Sequence, residues 1–193
     1  MSLPKNTTPT NVPEYTFKIG LLGDEGTGKT SLVNRFIEGK FEIDYKPTLG
    51  VSILTKKISI KNPDAIVNLV IWDIAGQQKY QNIRPMYFQG CLGVIFVYDV
   101  TRPLSFSEIK TKWMPDFKQF STPDTCYSLV GNKKDLLDKV KITTEQGKLL
   151  AKEIGVVDFF ETSAMTGENV QTIFENLVKK LIQRKTIPTA STA

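Results

Sequence analysis

Apolar and polar positions along this chain switch repeatedly between strand-like runs and helix-period stripes. Residues 15–22 form an apolar-rich run that reads as a strand ending at a glycine. Over 29–38, Leu32, Val33, Phe36 and Ile37 fall on one helical face, and Gly39 supplies the stop. Residues 51–60 and 66–72 read as strands on either side of the turn-like Lys61-Asn62-Pro63-Asp64. That link is short enough to make them an antiparallel hairpin. A buried strand is predicted over 92–98, a helix from Ser105 to about Phe120, and a strand over 126–130. Thr143 is placed to cap a helix reaching about Ile154, with Glu145 and Gln146 in its first turn. A short strand over 158–160 precedes a last helix from about Glu168 to Gln183. Val170, Ile173, Phe174, Leu177, Val178, Leu181 and Ile182 form its broad apolar stripe.

Alternating strands and helices predict an α/β fold: a mostly parallel six-stranded sheet with one antiparallel strand and helices on both faces. In such sheets ligands bind beyond the carboxyl ends of the strands, so the informative residues should follow strands directly. The length of 193 residues fits one domain, over 14–185. Residues 1–13 are rich in Thr, Asn and Pro and read as a disordered extension; 186–193 read as a flexible tail. No repeat and no second domain is visible.

Composition removes several function classes. There is no histidine, which excludes a histidine base or histidine-ligated metal. Cys91 and Cys126 are too few for a disulfide framework, and both lie in apolar runs, as expected of buried, reduced thiols in a cytoplasmic protein. A net charge of +5 calls for no nucleic-acid partner. No apolar run approaches the roughly 18–20 residues that span a bilayer.

Chemistry is concentrated after the strands. Gly23-Asp24-Glu25-Gly26-Thr27-Gly28-Lys29-Thr30 fits the phosphate-binding pattern G-x-x-x-x-G-K-[ST], with a strand before it and a helix after it. Its glycines let backbone amides turn toward phosphates; Lys29 supplies a cation to the β- and γ-phosphates, and the Thr30 hydroxyl suits Mg²⁺. Asn132-Lys133-Lys134-Asp135 follows the fifth strand. A carboxylate at Asp135 would accept two hydrogens from guanine, a pair adenine lacks. The Lys133 stem would lie along the ring, and Asn132 would tie this loop to the phosphate loop. After the next strand, in Glu161-Thr162-Ser163-Ala164, the Ala164 amide could donate to guanine O6. Asp73-Ile74-Ala75-Gly76-Gln77 ends another strand. Asp73 is placed to hold Mg²⁺ through a water, Gly76 to offer its amide to the γ-phosphate, and Gln77 to orient a water.

Together with Thr48, these motifs resemble the Ras superfamily of small GTPases, over about 15–184. The resemblance implies a P-loop NTPase G domain that binds GTP or GDP with Mg²⁺. Catalysis would fall to Gln77, Lys29, Thr48 and Gly76, and the metal to Thr30, Thr48 and Asp73. Nucleotide contacts are implied for Glu25, Gly26, Thr27, Gly28, Lys29, Thr30, Ser31, Phe41, Tyr45, Thr48, Gly76, Asn132, Lys133, Asp135, Ser163, Ala164 and Met165. Phe41 would pack on the guanine and Tyr45 close over the phosphates. Thr48 would give its hydroxyl to the metal and its amide to the γ-phosphate. The family mechanism implies slow hydrolysis, raised about 10³–10⁵-fold by an arginine supplied in trans. Effectors, an exchange factor and a GTPase-activating protein would engage the two phosphate-sensing loops, around Ile53, Trp72 and Tyr87, and the chain would act as a monomer.

Within the superfamily, Tyr45-Lys46-Pro47-Thr48-Leu49-Gly50-Val51 and Trp72-Asp73-Ile74-Ala75-Gly76-Gln77 look most like the Rab branch, which directs vesicle trafficking. Ile83-Arg84-Pro85-Met86 and Lys112-Trp113-Met114-Pro115 are reminiscent of the Rho branch, whose characteristic insert is absent. Glu25 stands where the family usually has a small residue; its carboxylate either points to solvent or obstructs an incoming arginine. Met165 replaces a usual lysine, at a modest cost in affinity. The tail lacks the cysteine that prenylation needs, so membrane association is left open, by a longer native tail or by recruitment to a membrane through partners. Competing readings are a GTP/GDP-binding module with little hydrolysis, an unlipidated Ras- or Rho-like signalling GTPase, and a metabolic P-loop kinase. The kinase reading lacks a lid segment and leaves Asn132–Asp135 without use.

Overall fold

The computed structural model describes residues 12–41, 48–156 and 158–186. Its strands are β1 (Glu14–Leu22), β2 (Val51–Ile60), β3 (Ala65–Ile74), β4 (Gly93–Asp99), β5 (Cys126–Asn132) and β6 (Asp158–Thr162). They form one six-stranded sheet in the order β2-β3-β1-β4-β5-β6. Only the β2–β3 hairpin is antiparallel, as the short link between them requires. The helices are α1 (Lys29–Glu38), α2 (Arg84–Phe88), a composite α3 (Pro103–Glu108, Ile109–Trp113 and Met114–Lys118), α4 (Thr144–Glu153) and α5 (Val170–Thr186).

The central strand β4 is buried at every position, which is why its sequence is a continuous apolar run rather than an alternating one. Each face of the sheet carries its own core. On one face Phe17, Ile19 and Leu21 meet Leu32, Val33 and Phe36 of α1 and Phe174 and Leu177 of α5. The Phe36 and Phe174 rings stack at 4.0 Å. On the other face Leu22, Phe96 and Tyr98 meet Phe88 of α2, Trp113 and Phe117 of α3, and Leu150 of α4. Both thiols are free and buried, and burial pushes Cys91 up to about 11.

The elements deviate from the sequence expectation where local chemistry outweighs periodicity. α3 starts at Pro103, two residues before Ser105, because proline's fixed φ and missing N–H suit a first helical turn. Its middle is a π-helical turn over Ile109–Trp113, closed by the Met114 N–H donating to the Ile109 carbonyl. Pro115 follows, with no N–H to give the preceding turn, so the helix widens there instead of continuing regularly. Residues 78–88, unassigned from sequence, form a 3₁₀ turn (Gln78–Ile83) and α2. That segment lacks a helix-length apolar stripe. α5 starts at Val170, not Glu168. The Thr143 cap holds: its hydroxyl accepts from the Gln146 amide at 3.3 Å, and Gln146 Oε1 accepts from the Thr143 amide at 2.8 Å.

The register brings the functional strand ends to one edge. Leu21 pairs with Asp73, Leu22 with Phe96, Asp99 with Asn132, and Asn132 with Thr162. Every motif singled out from the sequence therefore opens on the same rim.

Candidate functional site

The phosphate loop leaves β1 at Leu22 and enters α1 at Lys29. Gly28 sits at the N-cap with φ 92°, and no side chain caps the helix. The first N–H groups of α1 are thus left free of side-chain acceptors, the arrangement that receives an anion. A Cβ at Gly28 would lie 2.3 Å from Asn132 Nδ2, so only glycine lets the two loops approach this closely. The Lys29 ammonium turns into its own loop, donating to the carbonyls of Gly23 at 2.7 Å and Asp24 at 2.8 Å. Burial pushes its pKa down to about 8, against the pull of Asp73 and Asp24. A phosphate seated in the loop would favour the ammonium and push its pKa back up.

Three oxygens from separate segments meet beside it. Thr30 Oγ1 donates to Asp73 Oδ2 at 2.5 Å, lies 2.9 Å from Thr48 Oγ1, and Thr48 Oγ1 donates to the same carboxylate oxygen at 3.2 Å. Asp73 is fully buried, and burial raises its pKa despite the two hydroxyls and Lys29. Its Oδ1 is buried without a partner. A hard, oxygen-seeking divalent cation fits this set: two hydroxyls, and a carboxylate with unused acceptor capacity. Among the described residues no cluster of three or more His, Cys, Asp or Glu offers another metal site.

Gly76 abuts the phosphate loop. A Cβ there would fall 2.2 Å from the Glu25 amide nitrogen, 2.3 Å from the Asp24 carbonyl carbon and 2.7 Å from the Gly23 oxygen. Gln77 Nε2 donates to Glu25 Oε1 at 2.6 Å, so the Glu25 side chain engages Gln77 rather than solvent alone. Gln77 Oε1 is buried and unpartnered. Glu25, Gly26, Gly28, Lys29, Thr30, Thr48, Gly76 and Gln77 line one small polar recess.

Beyond Gly26 and Gly28 the recess gives way to a cavity of about 390 Å³, walled by Ser31, Phe41, Asn132, Lys133, Asp135, Ala164 and Met165. Asn132 Nδ2 donates to the Thr27 carbonyl at 2.9 Å, joining this cavity's loop to the phosphate loop. Lys133 Nζ pairs with the buried Asp99 at 2.7 Å, and Ser163 Oγ donates to Asp135 Oδ1 at 2.6 Å. The Ala164 amide donates to Asn132 Oδ1 at 3.2 Å, so a base oxygen would share or replace that bond. Met165 is exposed, and its carbonyl accepts from Arg35. Phe41 packs against the α1 side core while facing the cavity. Tyr45, in 42–47, lies outside the described residues.

The Ras family model matches residues 18–183, most of the chain. The chain belongs to the Ras family. Its relatives place it in the Rab-like group of small GTPases. It is 42% identical over 164 residues to the Ras-related protein Rab5 of Nicotiana tabacum, covering 85% of this chain and 80% of that protein. To the Ras-related protein RABA6b of Arabidopsis thaliana it is 38% identical over 168 residues (87% and 72%). To the Ras-related protein Rab-1 of Theileria annulata it is 38% identical over 173 residues (90% and 77%). Ras-family GTPases bind GTP and GDP, with Mg²⁺, and hydrolyse GTP.

Several residues of this candidate site escape a reading by motif. Asp99 positions Lys133, and its only sequence signal is a carboxylate closing an apolar strand. Arg84, 1% exposed, donates through Nη2 to the carbonyls of Gly76 at 3.0 Å and Gln77 at 2.8 Å. Arg102 Nη1 donates to the Glu25 carbonyl at 2.8 Å, placing a guanidinium over the phosphate loop from the β4–α3 turn. No sequence spacing links either arginine to the motifs.

The Glu25–Gln77 bond has a consequence for rate. Glu25→Ala is expected to free Gln77 and raise intrinsic single-turnover GTP cleavage about two- to tenfold, the equivalent of one net hydrogen bond. An unchanged rate would show that the tether does not limit hydrolysis.

Proposed function

We propose that this Rab-like GTPase is a GTP-dependent switch in which the small polar recess holds the γ-phosphate and the 390 Å³ cavity holds guanosine. The observation that carries the reading is this pairing: two chambers sharing Gly26 and Gly28, one lined by hydroxyls, a lysine and a glutamine, the other by Asp135, Lys133 and an aromatic wall. Asp135 would accept from N1–H and the 2-amino group of guanine, with Ser163 fixing its orientation. Thr30, Thr48 and Asp73 would hold Mg²⁺, which when bound screens the charge of the β- and γ-phosphates.

The reaction is GTP + H₂O → GDP + phosphate, breaking the bond between the γ-phosphorus and the bridging oxygen. Lys29 would turn from its own carbonyls onto the β- and γ-oxygens and stabilise their charge. Gln77 would release Glu25 and orient water through its unpartnered Oε1. Loss of the γ-phosphate would remove contacts to Thr48 and Gly76, let both loops relax, and change the surface that effectors and regulators meet. That surface includes the exposed Ile53 and the Trp72–Tyr87 pair at 6.0 Å. Regulation of membrane traffic is the output that goes with the Rab-like group. Among the described residues no helix is long and apolar enough to cross a membrane.

Nucleotide content and single-turnover cleavage of the purified protein test this, beside Gln77→Leu. Bound guanine nucleotide, with slow cleavage that falls about 10²-fold in the variant, is expected, since a residue that positions a reactant is worth that much. Adenine preference, or equal cleavage in both proteins, would overturn the assignment.

A further inference from the structure

One indole touches the supports of both phosphate-facing loops. Trp113 is completely buried, on the π-helical turn of α3. Its Nε1 donates to Asp24 Oδ1 at 2.8 Å. Asp24 belongs to the phosphate loop, and its main-chain carbonyl accepts from Lys29 Nζ at 2.8 Å and from Thr27 Oγ1 at 2.9 Å. Anchoring the Asp24 side chain therefore fixes the carbonyl that holds Lys29. Lys112, from the same turn, adds its ammonium 3.6 Å from Asp24 Oδ1. Burial opposes the Asp24 charge, yet the neighbouring Glu108 carboxyl, itself pushed up by Asp24, together with the Trp113 N–H and Lys112, holds the Asp24 carboxyl below the ordinary range.

The face of the same indole carries the Arg84 guanidinium, 4.3 Å from the ring centroid. Arg84 Nη2 grips the Gly76 and Gln77 carbonyls, while its Nε and Nη1 are buried with no partner. Stacking on a large aromatic face is what keeps so under-bonded a guanidinium in place. The widened turn before Pro115 brings the indole edge and Lys112 together against Asp24.

We infer that Trp113 is a positioning residue for GTP binding and hydrolysis, holding the phosphate loop through Asp24 and the Gln77 loop through Arg84. This rests on the proposed assignment of the two loops to GTP. The two arms make separable demands. Trp113→Phe keeps a ring beneath Arg84 but removes the N–H. Asp24→Ala removes the acceptor and leaves the core intact. Arg84→Leu removes the grip on Gly76 and Gln77 and leaves the Asp24 arm.

The test is a double-mutant cycle on GDP release, read by displacement of a fluorescent GDP, with single-turnover GTP cleavage measured in parallel. Trp113→Phe and Asp24→Ala are each expected to release GDP about tenfold faster, the worth of one hydrogen bond to a charged group, and the double variant no faster than the single ones. Arg84→Leu is expected to slow cleavage about tenfold while altering release less than either of those. A general loss of packing would make the release effects add. Additive effects, or release at the wild-type rate in Asp24→Ala, overturn the inference. Because Asp24→Ala spares the core, a Trp113→Phe protein that melts early does not rescue it. Wild-type protein that holds no guanine nucleotide overturns the functional assignment itself; wild-type protein that holds it, with all three variants releasing GDP and cleaving GTP at the wild-type rates, overturns this inference alone.

Discussion

Asp135→Asn is expected to cost GTP about 10²–10⁴-fold in affinity and to move preference toward xanthine nucleotides. The size follows from two hydrogen bonds to a charged acceptor, at about 1.5–3 kcal/mol each. The direction follows from Ser163. Its hydroxyl donates to Asp135 Oδ1 at 2.6 Å and so selects which end of a substituted amide faces it. The amide oxygen takes that place, and the NH₂ group turns to the base. Guanine then presents its 2-amino donor to a donor, which is repulsive, whereas xanthine presents a carbonyl there and keeps N1–H. Competition binding of GDP against xanthosine diphosphate on both proteins measures the swing. Retained guanine preference would remove Asp135 from base selection. Because Lys133 is held independently by Asp99 at 2.7 Å, the pocket wall should survive the substitution.

What the sequence discloses about this molecule divides along a physical line. Glycine, lysine and carboxylate spacings that must hold for a loop to bind phosphate are local, so Gly23–Thr30 and Asp73–Gln77 are legible without coordinates. The antiparallel β2–β3 pair is equally local, because a short link forces a hairpin, and it was readable from four turn residues; the place of β1 between β3 and β4 is not, since the helical links from β1 to β2 and from β3 to β4 each join strands that are not neighbours. Contacts between distant segments are not written in any spacing. Arg84 looks like an ordinary polar residue in an unassigned stretch, yet it is buried and grips the Gln77 loop. Trp113 looks like a core aromatic, and its N–H reaches a residue 89 positions away. Glu25 was readable as an unusual occupant of its loop, but whether its carboxylate meets solvent or a neighbour depends on where Gln77 lies, 52 positions on. The π-helical turn shows the intermediate case: Pro115 signals a disturbance, while its form depends on the packing of α3 against the sheet.

Gly76→Ala is expected to separate binding from hydrolysis. The added methyl would meet backbone atoms of Gly23, Asp24 and Glu25 at 2.2–2.7 Å, and backbone cannot swing aside as a side chain can. One of the two loops must withdraw. The phosphate loop is tied at both ends, by Asn132 to Thr27 at 2.9 Å and by Trp113 to Asp24 at 2.8 Å, whereas the Gln77 loop is held to it mainly by the Glu25 contact and by Arg84. The Gln77 loop is therefore the one displaced. A shift of about 1 Å in a residue that positions a reactant costs about 10²-fold in rate, so single-turnover GTP cleavage should fall by that order. GDP affinity should change by only a few-fold, because Asp135, Lys133 and the 390 Å³ cavity lie on the far side of the phosphate loop. Gln77→Leu would slow cleavage to a similar extent for a different reason, and combining the two should add little, since a displaced glutamine has nothing left to lose. Cleavage at the wild-type rate in Gly76→Ala would mean that the two loops part before the chemical step, and that their close approach belongs to a resting arrangement rather than to the hydrolysing one.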